Sequence, residues 1–106
     1  MIASMVSDWA GKVVFSQAGP QPQVLFDDGQ LKVVLAGLQP GQSIPQHPEG
    51  RSVFHFLEGK GVMTIDGQPV GIGAGMTLVL EDGTLRGIQA ETRLAFLATR
   101  LAGTNG

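Results

Sequence analysis

The chain has 106 residues and a mass of 11.1 kDa, the size of one domain on a norm of about 100–200 residues per domain. It contains no cysteine, so a disulfide framework, a thiolate metal site and a cysteine nucleophile are all excluded. Seven Lys and Arg against nine Asp and Glu give a net charge of −2, without the basic footprint of a nucleic-acid binder. An apolar content of 42% against 15% charged residues argues against disorder. Sixteen Gly and six Pro, spread along the length, suit many short strands and turns rather than long helices. No apolar run reaches the roughly 18–20 residues needed to span a bilayer. The N-terminus has neither the basic nor the apolar region of a signal peptide, and a cytoplasmic location is expected.

In residues 1–10, Ile2, Met5, Val6 and Trp9 recur three or four apart, as in one loose helical turn. The segment reads better as an apolar N-terminal arm that packs on a sheet or on a neighbouring subunit. From there the period is two. Lys12–Ser16 is a short predicted strand, and Leu31–Leu35 is a second, after the turn signal Asp27-Asp28-Gly29. Val53–Leu57 and Gly61–Ile65 follow, and Asp66-Gly67 then makes a tight hairpin turn, because both residues tolerate positive φ. Val70–Ile72, Met76–Leu80 and Thr92–Arg100 complete the series, and residues 102–106 are expected to fray. About eight to ten short strands at regular turn signals imply an all-β sandwich or barrel. Several strands are apolar on both parities, at Val33 and Val34 and at Phe96 and Leu97. A strand wet on one face alternates more cleanly, so a second subunit is the simplest cover and a homodimer is expected.

The stretch from Gly41 to Gly59 reads Gly41-Gln-Ser-Ile-Pro-Gln-His47-Pro-Glu49-Gly-Arg51-Ser52-Val-Phe54-His55-Phe56-Leu-Glu58-Gly59. It resembles the first motif of the cupin family, G-x5-H-x-H-x3–4-E-x6-G. Gly61–Val70 is similar to that family's intermotif hairpin, and Gly73–Gly83 to the start of its second motif, G-x5-P-x-G-x2-H-x3-N. The resemblance covers residues 33–101 of a single domain spanning 1–106. It implies a double-stranded β-helix, or jelly-roll barrel, whose interior holds an ion such as Fe, Mn, Ni or Zn on three His and one Glu. This chain departs from that ligand set at nearly every position. His47 matches the first His, Glu49 stands where the second belongs, and Ser52 replaces the Glu. Glu81, Arg86 and Ala90 take the Pro, His and Asn positions of the second motif.

One imidazole does not make a transition-metal site, so no cofactor is expected, the alternative being a divalent metal held through His47 and Glu49. Ser52 and His55 are three apart on one strand and face opposite ways. If Ser52 points inward, Phe54 and Phe56 do too, and His55 points out. Arg86 at an inward position needs an internal partner such as Glu49 or Glu81, or a bound anion. Ser52 has no nucleophile elbow around it and is not read as catalytic; His47 is the one candidate general base. Lys12, Lys32 and Lys60 are scattered and form no basic patch, and Gly71, Gly73 and Gly75 precede no helix, which rules out a dinucleotide fingerprint. The expected function is therefore binding of a small molecule, anionic where it meets Arg86, in a pocket of His47, Ser52, Phe54, Phe56 and Arg86. The alternatives are a metal-dependent dioxygenase or isomerase-type enzyme with an atypical site, and a structural protein with no small ligand.

Overall fold

The computed structural model describes residues 5–102. Residues 1–4 of the expected arm and 103–106 of the expected tail lie outside the described residues. Among the described residues one 3-10 turn, Trp9–Gly11, precedes nine strands. They are β1 Gln23–Asp27, β2 Leu31–Leu38, β3 Ser43–Pro48, β4 Ser52–Glu58, β5 Lys60–Ile65, β6 Gln68–Gly73, β7 Thr77–Leu80, β8 Leu85–Ala90 and β9 Leu94–Leu101. Among the described residues no helix is long and apolar enough to cross a membrane.

Turn chemistry sets the connections. Asp28 Oδ1 accepts the backbone N–H groups of Gln30 at 2.9 Å and Leu31 at 2.8 Å, which fixes the β1–β2 turn. Those bonds, Leu31's first, hold the Asp28 carboxyl below the usual carboxylate range. The β5–β6 hairpin turns on Asp66 and Gly67, at φ 48° and 84°, the twist that matches two antiparallel strands.

All pairings are antiparallel and nested: β2 with β9, β3 with β8, β4 with β7 and β5 with β6. This is one long hairpin rolled up, a jelly roll of two sheets ordered β1-β2-β9-β4-β7 and β3-β8-β5-β6. Strand β4 alternates as its sequence implies, with Ser52, Phe54 and Phe56 buried and His55 exposed on Thr77 Oγ1 at 2.8 Å. The core lies at the closed end. There Phe56, Leu38, Met63 and Leu94 are fully buried, and the rings of Phe54, Phe56 and Phe96 meet at centroid distances of 5.6–6.3 Å.

Residues 12–16 form no strand, contrary to the sequence reading. They run instead across the outer face of the five-stranded sheet, where Gly37 lets them in: a Cβ there would stand 2.7 Å from the Val14 carbonyl oxygen. Arg93 lies over the Phe15 ring at 3.9 Å and clamps this crossing. Conversely, β1, β3 and β8 are strands that the pattern hides. Strand β3 carries Pro45 and Pro48, which its place at a sheet edge tolerates. Strand β8 is interrupted by Gly87, whose missing side chain admits the β3 backbone: a Cβ would stand 2.9 Å from the Ile44 oxygen.

Candidate functional site

The strand register stacks the interior into layers. In the five-stranded sheet, Lys32, Arg100, Ser52 and Leu80 share one cross-strand row. The next row is Val34, Ala98, Phe54 and Leu78, and beneath it lie Ala36, Phe96 and Phe56. In the facing sheet His47, Arg86 and Ile65 form the upper row, and Ile44, Ile88 and Met63 the next. Polar and cationic side chains therefore gather at one end of the roll, above an apolar interior. A cavity of about 260 Å³ opens there, walled by Val34, Ile44, Phe54, Ile88, Phe96 and Ala98 and rimmed by Lys32, His47, Glu49, Ser52, Arg86 and Arg100.

His47 reaches this rim through an irregularity. Ile44 and His47 are three residues apart, while their partners Ile88 and Arg86 are two apart. The bulge restores His47 to the face that Ile44 occupies. Its Nδ1 donates to the Pro45 carbonyl at 2.9 Å, since a carbonyl only accepts. Its Nε2 lies 3.2 Å from Glu49 Oε2, again an acceptor. The ring makes both bonds as donor only when doubly protonated.

Arg86 is 2% exposed. Its Nε donates to the Thr84 carbonyl at 2.8 Å and its Nη1 to Ser52 Oγ at 3.1 Å, joining the two sheets. Nη2 reaches the Gly50 and Glu81 carbonyls at 3.4 and 3.5 Å. These partners are neutral. The carboxylates of Glu49, Asp66 and Asp82 act on Arg86 through space, Glu49 most strongly. Burial pulls the guanidinium below its usual proton affinity, and Glu49 offsets part of that loss. Arginine nonetheless stays charged, so the interior holds a cation fixed by dipoles.

Glu49 sits in the β3–β4 connection and bridges the sheets. One carboxylate oxygen pairs with Arg100 Nη1 and the other with His47 Nε2. Burial raises its proton affinity, but the Arg100 hydrogen bond and the charges of Arg100, His47 and Arg86 outweigh this and hold the carboxyl below the usual range. Among the described residues the rim thus carries three basic side chains, Lys32, Arg86 and Arg100, beside the carboxylate of Glu49.

Of the residues singled out in the sequence, His47, Ser52, Phe54 and Arg86 all line this cavity. Phe56 does not: it lies one layer deeper and is fully buried in the core, behind Phe54 and Phe96. The Ser52 hydroxyl donates to the Gly50 carbonyl at 2.7 Å and accepts from Arg86, so its proton is already committed. Glu81 meets Arg86 through its backbone, while its carboxylate pairs with Arg51 at 3.4 Å on the surface. Lys32 and Arg100 escaped the sequence reading. Strand parity marks them, because Lys32 shares a face with Val34 and Ala36, and Arg100 with Phe96 and Ala98.

The metal ring implied by the resemblance does not fit these residues. Among the described residues only His47 and Glu49 converge as donors, and His47 Nδ1 is engaged by the backbone. Among the described residues no three His, Cys, Asp or Glu side chains come together to hold a metal ion. Arg86 further sets a fixed cation at the inner edge of the same space.

Comparison with known proteins agrees with the architecture. A protein of unknown function with a double-stranded β-helix domain, from Klebsiella pneumoniae, is 21% identical with a TM-score of 0.85, covering 98% of this chain and 95% of its own. An RmlC-like cupin from Desulfovibrio desulfuricans is 24% identical with a TM-score of 0.77, covering 95% of each chain. The salicylate 1,2-dioxygenase of Pseudoaminobacter salicylatoxidans gives 20% identity and a TM-score of 0.73 over 80% of this chain and 27% of its own. No functionally curated protein matches in sequence. The family model of the cupin domain matches residues 34–99, well over half of the length, and the chain belongs to the cupin family.

Proposed function

We propose that this cupin binds a small anionic molecule with an apolar body inside its barrel, and does so without a metal ion. The observation that carries the reading is Arg86: a buried guanidinium whose direct partners are all neutral, at the head of an apolar cavity. A buried charge is costly unless an opposite charge meets it. Lys32 and Arg100 add to the same field from the facing sheet, and Glu49 is the one carboxylate among the described residues that lines the cavity. The apolar walls suit a hydrocarbon or aromatic body, as small-ligand pockets commonly do. The salicylate dioxygenase that shares the fold is named for a ligand of this class. A metal-dependent oxygenase or isomerase reading has two donors to rest on, and Arg86 opposes it electrostatically. His47 serves here as a polar handle at the rim.

The reading includes a cytoplasmic homodimer, the second copy covering the outer face of the five-stranded sheet, where Val79 is 57% exposed. The test is thermal unfolding of the full chain with benzoate, hexanoate, benzyl alcohol and sulfate, and with Fe, Mn, Ni and Zn salts. At ten times Kd a ligand stabilises by about 1.4 kcal/mol, which raises Tm by several degrees in a domain of this size. Benzoate and hexanoate are expected to do this and benzyl alcohol is not. A rise with a metal salt and none with any carboxylate would overturn the reading.

A further inference from the structure

Glu49 occupies an unusual position. It lines the apolar cavity and also a second, more open cleft, formed with Asp27, Gly29, Gln30, Leu31 and Gly50. Lys32 and Arg100 are the other side chains common to both spaces. Glu49 and Arg100 therefore form the partition between a surface groove and the interior. Both side chains are 30% exposed, so water reaches the pair and no deep packing locks it. Glu49 comes from a short connection between strands, with Gly50 immediately after it, rather than from a ladder.

The carboxylate of Glu49 already shows what this rim accepts. It spans Arg100 of one sheet and His47 of the other, with Lys32 cross-strand from Arg100 and Arg86 acting from within. That is a carboxylate seat, and the chain's own side chain fills it from the outside. We infer that Glu49 is a built-in stand-in for the ligand's head group: the ligand is a monocarboxylate with a compact apolar body, and on binding its carboxylate replaces Glu49 on Arg100 while its body enters between Phe54 and Ile88. This rests on the anion-binding reading above and adds to it a ligand class, an anchor and an internal competitor. The exchange conserves charge, since one carboxylate leaves the guanidinium as another arrives. Glu49 swings into the outer cleft and reaches solvent. A planar fork meeting a two-oxygen head group favours carboxylate over a point contact. A dianion such as sulfate lacks the body that the walls require.

The consequence is an affinity held down by Glu49. Removing this competitor is expected to raise carboxylate affinity by about tenfold. The experiment is calorimetric titration of benzoate and hexanoate, with benzyl alcohol as the uncharged control, into the full chain, Glu49→Gln and Arg100→Gln. Glu49→Gln keeps shape and removes charge at a partly exposed site, and circular dichroism verifies its fold. The expected result is tighter carboxylate binding by Glu49→Gln, by about tenfold, unchanged indifference to benzyl alcohol, and loss of binding in Arg100→Gln. Carboxylate binding that is equal or weaker in Glu49→Gln would overturn the stand-in role and leave the anion-binding reading in place. No carboxylate binding by either the parent chain or Glu49→Gln would overturn both.

Discussion

Replacing Phe56 by alanine is expected to cost about 3–5 kcal/mol of unfolding free energy, the range for truncating a fully buried aromatic side chain. Phe56 is 0% exposed and its ring stacks at 6.3 Å on Phe54 and at 5.6 Å, tilted, on Phe96. Its backbone is also pinned, donating to the Met76 carbonyl at 2.9 Å and accepting from the Gly75 N–H at 2.8 Å. The surrounding strands have little freedom to collapse into the space left, so a void adds to the lost transfer energy. A domain of this size has about 5–15 kcal/mol in total, so the variant loses a large share of its margin. Urea unfolding measures the difference, with Phe56→Leu as the milder control at about 1.5 kcal/mol or less. A cost for Phe56→Ala of about 1 kcal/mol or less, typical of a surface change, would contradict the layered interior and return Phe56 to a pocket wall.

Arg86→Met is expected to weaken carboxylate binding by about tenfold or more, because it removes the permanent charge nearest the interior. It also strips donors from the Thr84, Gly50 and Glu81 carbonyls and from Ser52. Those losses cost about 1–3 kcal/mol for each group left buried without a partner, partly offset by relief from burying the guanidinium. Arg86→Lys separates the two effects: it keeps the charge and gives up the fork. Most of the carboxylate affinity is expected to survive in Arg86→Lys, even though the bridge between sheets is weakened. Titration calorimetry of benzoate with both variants reads this out. Equal binding by Arg86→Met and the parent chain would reduce Arg86 to a structural strut.

The fold was legible where the pattern was local. Asp66-Gly67, the Val53–Leu57 alternation and the long final strand each follow from steric or period-two rules that need no partner. Strands β3 and β8 were not, since prolines in one and Gly87 in the other break the local signal, and only their mutual pairing explains both. Residues 12–16 have strand composition but meet Gly37 on the outer face instead of a free ladder. At the site, His47, Ser52, Phe54 and Arg86 could be named from motif positions. Lys32 and Arg100, which complete the cationic rim, could not, because they lie outside the motif positions and meet only through the pairing of β2 with β9. Glu49 was named as a partner for Arg86 and, in the metal alternative, as a ligand beside His47; its oxygens meet Arg100 and His47, and it acts on Arg86 through space.

The most direct measurement is a methyl-resolved NMR titration of the full chain with benzoate. The expected result is that methyl signals of Val34, Ile44, Ile88 and Ala98, which wall the cavity, move together along one saturating curve. Val53 and Val79, on the outer face of the sheet, stay still. Cavity methyls that remain unmoved at saturating benzoate, or shifts confined to the outer face, would contradict an interior built to receive a carboxylate.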